Sequence, residues 1–298
     1  MVVAFQWSEL AQQIVSGLAA GGIYALLALA IVLIYRSTRV VNFAQGEMAM
    51  FTTFVAWWLI HRGLSYWVAF VLTIGFAFVG GIVLERVVVR PVENAPPVAV
   101  VILTLGLFFV LNGLAFWIWT PEVKTLPSAF STRPVRVGGV AFSIEDLGII
   151  AVSLGVVIAL WLFFRFTKLG LGMRAAALNP DSSRLTGIRV GWMLALGWGL
   201  AAALGAVAGV LDAPPSFDQN FMQPILLYAL AGAVLGGLDS PTGAVVGSLL
   251  IGVVINLAGT YVGFVGTALR LPVALGAILL VLLLRPSGLF GRAALRRA

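Results

Sequence analysis

Residues 94–121 read NAPPVAVVILTLGLFFVLNGLAFWIWTP, with no Asp, Glu, Lys or Arg among them. An α-helix rises about 1.5 Å per residue, so about 20 residues cross a hydrocarbon layer about 30 Å thick. This stretch is long enough to do so. A buried soluble helix can imitate one such run, but here the pattern recurs. Gly63 to Leu84, Leu147 to Phe164, Val190 to Leu211, Gln219 to Leu238 and Ser240 to Leu269 are equally free of charge.

Composition agrees. Hydrophobic residues make up 61% of the 298 and charged residues 10%, against about 25% charged in a soluble domain. Mean hydropathy is +1.08. Too few polar side chains remain to coat a soluble globule of this size. The fold class is therefore all-α, a polytopic transmembrane helical bundle of about eight to ten spans. Residues 1–298 read as a single transmembrane domain.

Nine apolar segments are read: 10–35, 42–60, 66–84, 98–119, 147–164, 191–211, 224–238, 242–261 and 264–284. The first does not look like a cleaved signal peptide, since it lacks a basic start and follows Glu9. With the N-terminus outside, thirteen of the 18 basic residues fall on the inner side. They are Arg36, Arg39, Arg86, Arg90, Arg165, Lys168, Arg174, Arg184, Arg189, Arg285, Arg292, Arg296 and Arg297. The positive-inside rule then predicts the N-terminus outside and the C-terminus in the cytoplasm. An even number of spans is the competing reading, with a re-entrant or broken helix in 224–262. Two loops stand out. Residues 120–146 lie outside, with a Gly138–Gly139 pair inside an alternating stretch that predicts a small β-hairpin. Residues 165–190 lie inside. Glycines at short spacing (Gly17, Gly21 and Gly22; Gly205 and Gly209; Gly243, Gly247 and Gly252) let helix backbones approach closely.

Several functions are excluded by what the chain lacks. It has no cysteine, so no disulfide or thiolate metal site forms. Its one histidine, His61, reads as a polar loop residue, since metal sites need several convergent ligands. The net charge of +7 is scattered between apolar spans, which points to topology rather than nucleic-acid binding. A P-loop needs lysine after glycine. The two lysines, Lys124 and Lys168, follow Val123 and Thr167. No metal or organic cofactor is expected, and no nucleophile with a base lies within the spans. Intramembrane charge is confined to span ends, at Glu47, Glu85, Arg86 and Arg270. That scarcity weakens a proton relay and leaves Na⁺ coupling through backbone carbonyls open.

Two polar motifs interrupt the apolar runs. Val41-Asn-Phe-Ala-Gln-Gly-Glu47 places Asn42, Gln45 and Glu47 at the start of a span. One reading is a helix end, with Asn42 as cap and Glu47 near the positive end of the dipole. The other is a polar translocation path or gating element. Asn112 is a further intramembrane amide, for which a bond across helices is the plain alternative. The second motif is the loop from Lys168 to Val190. It predicts a short helix over 170–178, a second one opened by Pro180 and Asp181, and a stop at Gly187. Such a knob, with an alanine face and a basic rim, suits insertion into a groove on a partner. The plain alternative is a surface loop.

At these motifs the chain resembles the permease subunits of bacterial Liv-type ABC importers for branched-chain amino acids. The resemblance runs nearly end to end. It covers the Gly17–Leu26 opening, Asn42-Phe-Ala-Gln-Gly-Glu47, Thr104–Leu107 with Leu111–Gly113, Gly236–Ala244 and Arg285–Gly291. Gln45 stands where the family usually has histidine, which keeps hydrogen bonding and removes a titratable group. Thr52, Thr53 and Ser183 also depart from the pattern. The resemblance implies a bacterial inner-membrane subunit without ATPase activity of its own. It makes residues 165–190 a cytoplasmic coupling loop, with Arg174, Ala175, Ala176 and Gly187 touching an ATPase. It also implies a second, homologous permease chain, two ATPase subunits, a periplasmic binding protein and a small-molecule substrate. Branched-chain amino acids are the default substrate, with amides, urea and other small acids open. The alternatives in function are an ion-coupled secondary transporter acting alone and an assembly protein of the membrane.

Overall fold

The computed structural model describes residues 7–93, 95–131, 133–137, 140–213, 216–263, 266, 269–285 and 288–291. The tail arginines Arg292, Arg296 and Arg297, the Gly138–Gly139 pair and residues Pro286 and Ser287 lie outside the described residues. Among the described residues the protein is helical apart from one hairpin. The helices are α1 (Trp7–Thr38), α2 (Gln45–His61), α3 (Tyr66–Leu84), α4 (Pro97–Trp119), α5 (Ile144–Phe166), α6 (Lys168–Leu178), α7 (Pro180–Leu185), α8 (Val190–Asp212), α9 (Met222–Gly236), α10 (Pro241–Tyr261) and α11 (Arg270–Leu284). Each of the nine predicted segments overlaps a helix; residues 264, 265, 267 and 268 of the last lie outside the described residues. Six are long and apolar enough to cross a membrane: α1, α3 with its continuation to Val92, α4, α5, α8 and α10. The 15 residues of α9 and of α11 reach only about 22 Å. Residues 237–240 connect the two segments read there, and α9 and α10 each run without a break.

The predicted hairpin forms from β1 (Pro134–Val137) and β2 (Val140–Ser143), paired antiparallel from Pro134↔Ser143 to Val137↔Val140. Helix starts follow local chemistry. Proline stands in the first turn of α4, α7 and α10, where its missing N–H costs nothing. The Ser240 hydroxyl accepts from Gly243 N at 3.1 Å to cap α10.

The described chain groups into two compact units. One comprises residues 1–29, 128–154 and 224–298, the other residues 30–127 and 155–223. In the first, α1 and α10 meet through glycine. A Cβ at Gly17 would lie 2.8 Å from Val253 Cα, and one at Gly21 would lie 2.8 Å from Leu249 Cα. Such contact is how helices associate where lipid removes the hydrophobic drive. Asn256 Nδ2 donates to Gln13 O and Oε1 at 2.7 and 2.8 Å, and Ser16 Oγ donates to Asp146 Oδ2 at 2.6 Å.

In the second unit α8 is central, against α2 on one side and α3 on another. A Cβ at Gly81 would lie 2.5 Å from Trp198 O, and one at Gly209 would lie 2.8 Å from Ala49 O. Trp198 and Phe54 are fully buried there. By contrast α3, α4 and α5 carry exposed Val79, Val83, Phe109, Trp117 and Ile158. Apolar side chains turned outward on helices of this length suit a hydrocarbon solvent.

Candidate functional site

The Asn42–Glu47 segment is the turn into α2. Asn42 Oδ1 accepts from Ala44 N at 3.0 Å and Asn42 O from Gln45 N at 3.3 Å. Ala44 is the N-cap, and no side chain caps the helix. The capping role expected for Asn42 therefore does not occur. Its short side chain reaches only two residues on, and it shapes the turn rather than the helix end. Asn42 Nδ2 donates to Gln45 Oε1 at 3.3 Å, and Gln45 Nε2 donates to Ala201 O of α8 at 3.0 Å. Asn42 and Gln45 are completely buried.

Glu47 is 1% exposed. Asn112 Nδ2, on α4, donates to its Oε2 at 3.1 Å, and Gln223 Nε2, on α9, donates to its Oε1 at 3.5 Å. Among the described residues no Lys or Arg forms an ion pair with it. A carboxylate in this position is held by neutral amide dipoles. Asn112 Nδ2 also reaches Gln219 O at 3.4 Å, and Gln219 Nε2 donates to Thr120 O at 2.7 Å. The structure thus brings Asn42 and Gln45 together by a direct bond, and Glu47 and Asn112 by another.

Gln219 and Gln223 belong to the cluster and were not singled out from sequence. Two glutamines four residues apart, at the head of an uncharged run, were the available signal. Rings pack nearby: Phe54 lies 5.4 Å from Trp119 and 5.1 Å from Phe217, and Phe217 lies 5.2 Å from Phe221. Lys124 and Phe217 exchange backbone bonds of 2.9 Å.

The 165–190 loop folds as two short helices. Thr167 Oγ1 accepts from Gly170 N at 2.9 Å, and Asn179 Oδ1 accepts from Ser182 N at 3.0 Å, so each helix has its cap. Gly187 ends the second with φ of 82°. Here α6 packs on α8: a Cβ at Gly172 would lie 3.2 Å from Met193 Sδ, and one at Gly197 would lie 3.7 Å from Met173 Cε. Ala176 is 1% exposed, Ala175 and Arg174 are half-buried, and Gly187 is exposed. The alanine face thus turns partly inward. The outward apolar residues are Leu169, Leu171, Leu178 and Leu185.

A chain of long apolar helices enclosing a satisfied cluster of amides and one carboxylate is a multi-pass membrane protein with a polar interior site. The family model described as branched-chain amino acid transport system, permease component, matches residues 13–284, and the chain belongs to that family of ABC transporter permeases. It is similar to the high-affinity branched-chain amino acid transport system permease protein LivH of Escherichia coli K12, 29% identical over 94% of this chain and 95% of the relative. The corresponding BraD protein of Pseudomonas aeruginosa is 30% identical, with 94% and 95% covered. The xylose/arabinose import permease protein XylH of Sulfolobus acidocaldarius is 26% identical over 63% of this chain and 52% of the relative. Among solved structures, PsaBC from Streptococcus pneumoniae in complex with Fab has a TM-score of 0.49 at 13% identity, covering 91% of this chain and 89% of that one. Family membership makes the chain a transport subunit of a binding-protein-dependent ABC importer and implies ATPase and binding-protein partners. It sets aside the secondary-transporter and assembly-protein readings.

Proposed function

We propose that this chain forms half of the passage for a branched-chain amino acid across a bacterial inner membrane, paired with a second, homologous permease. Two ATPases act on the α6–α7 knob, and a periplasmic binding protein delivers the substrate. The N-terminus faces out and the C-terminus lies in the cytoplasm, as the distribution of arginines supports. Asn42, Gln45, Glu47 and Asn112 line or gate the passage. The observation that carries this reading is the buried Glu47 carboxylate held by Asn112 and Gln223. An ionisable group at membrane depth is costly and marks a functional site by default.

The likeness to LivH and BraD supports leucine, isoleucine or valine as substrate, and the weaker likeness to XylH favours a sugar as the second reading. Reconstituted into liposomes with its ATPases, partner permease and binding protein, the complex should take up labelled leucine with ATP inside. Competition by isoleucine and valine, and none by xylose, supports the amino acid. Uptake that needs no ATPase, or that xylose alone competes for, refutes this assignment.

A further inference from the structure

Helix α3 does not stop at Leu84. It continues through a π-helical turn, Glu85–Val89, and a 3-10 turn, Arg90–Val92. A π turn widens the helix and re-aims its side chains. This one delivers Arg86 and Arg90 to a cavity of about 440 Å³ that Arg184, Arg189 and Trp192 also line, together with Glu93. Four arginines thus border one space, with Glu93 on its wall, Glu85 beside Arg86 and Asp181 paired with Arg184 at 3.3 Å, so positive charge exceeds negative by one.

Arg86 is held there by its flat face. Its Cζ stands 3.9 Å over the Trp192 ring. Its Nε lies 3.7 Å from Glu85 Oε2, an ion pair without a hydrogen bond. Both Nε and Nη2 of Arg86 are buried without an acceptor. A guanidinium offers five N–H donors, and burial without acceptors is unfavourable. Arg90 lies along Gly191, where a Cβ would stand 3.2 Å from its Nη2. The missing side chain at 191 leaves that arginine its place.

The chemistry calls for an anion with several oxygens, and phosphate fits guanidinium forks best. The surroundings choose its source. Val79 and Val83 on α3 and Val87 in the π turn, beside Arg86, are exposed apolar side chains, at 59%, 51% and 67% exposure. Trp192, 47% exposed, is the kind of ring found at headgroup level. We propose that this cavity binds the phosphate of an anionic membrane lipid, whose acyl chain lies along Val79, Val83 and Val87. One lipid would cover both features. A carboxylate from a partner protein would cover only the first.

Native mass spectrometry of the purified full-length chain in detergent tests this, titrated with phosphatidylglycerol, phosphatidylcholine or glycerol phosphate. Phosphatidylglycerol should bind about tenfold more tightly than phosphatidylcholine, and glycerol phosphate should not displace it. Arg86→Gln with Arg90→Gln should weaken phosphatidylglycerol binding by about tenfold or more. Arg189→Gln, on an exposed side chain that cannot disturb packing, should weaken it by a few-fold, and Arg165→Gln should not. Equal binding by all variants overturns the site. Displacement by glycerol phosphate makes it a soluble-phosphate site instead. Unchanged lipid binding with lost ATPase association in Arg189→Gln assigns the arginines to an acidic protein surface, which also overturns it.

Discussion

Replacing Glu47 by alanine separates a residue of the passage from the end of a helix. The carboxylate accepts from Asn112 Nδ2 at 3.1 Å and Gln223 Nε2 at 3.5 Å. Bonds to a charged group contribute about 1.5–3 kcal/mol each, but neither donor is stranded by the change. Asn112 Nδ2 keeps Gln219 O at 3.4 Å, and Gln223 Nε2 keeps Asn220 Oδ1 at 2.9 Å. The substitution also removes a buried polar group, whose desolvation costs about 1–3 kcal/mol. The terms oppose, and net stability should change by no more than about 2 kcal/mol.

Transport has no such compensation. If substrate or a moving helix borrows even one of these charge-assisted bonds at the barrier, its loss slows uptake by about 10- to 150-fold. The assay pairs thermal unfolding of the assembled complex with initial uptake rates in proteoliposomes. The expected outcome is a nearly unchanged melting temperature with uptake reduced at least about tenfold. Unchanged uptake with an intact fold refutes a role in the passage. A collapse of stability that accounts for the lost uptake makes Glu47 structural.

Asn112→Ala should slow uptake as well, and combined with Glu47→Ala it should add less than its single effect, since the two side chains share a bond; uptake rates of the four forms give the coupling. Gly81→Ala places a Cβ 2.5 Å from Trp198 O and 2.9 Å from Gly199 Cα; backbone on both sides cannot retreat cheaply, so thermal unfolding should show a loss of about 1–3 kcal/mol. Leu178→Glu and Leu185→Glu, at 72% and 89% exposure, should leave stability within about 0.5 kcal/mol while abolishing stimulated ATP hydrolysis and co-purification with the ATPases. Gln45→Leu removes the donor to Ala201 O and should destabilise by about 1–3 kcal/mol, with Gln45→His restoring much of it by melting temperature.

What could be read beforehand follows the range of the interaction. Each predicted span is a helix because an uncharged run in lipid has no other way to satisfy its backbone. The knob was legible because its signals are local: Asn179 caps α7, Pro180 starts it and Gly187 turns the chain. Its outward face was not. Leu169, Leu171 and Leu178 alternate with Met173 and Ala176 around α6, and only the packing of α8 decides which set is covered. The partners of Glu47 were hidden for the same reason. Asn112 and Gln223 lie 65 and 176 residues away, and no periodicity connects them to residue 47.

The buried polar side chains are satisfied in two groups, Asn42 with Gln45 and Glu47 with Asn112, Gln219 and Gln223. Asn42, Gln45, Glu47 and Gln219 are buried, and each has a partner, whereas the buried hydroxyls of Thr73, Ser153 and Ser248 have none. Under the proposed function a substrate enters only by exchanging its own polar groups for these bonds. Such exchange is close to neutral when donors and acceptors match, so the chain needs no strong site of its own, and a tight one would hold the substrate back. An amide-lined passage answers to hydrogen-bond capacity more than to side-chain shape. Discrimination among leucine, valine and other solutes then falls to the delivering protein, and the work of breaking the cluster open falls to the ATPases. The bonds to be broken join α2 to α4, α8 and α9, with α6 seated on α8. Under the same proposal, a push on α6 meets α8 first, the helix whose Ala201 carbonyl accepts from Gln45.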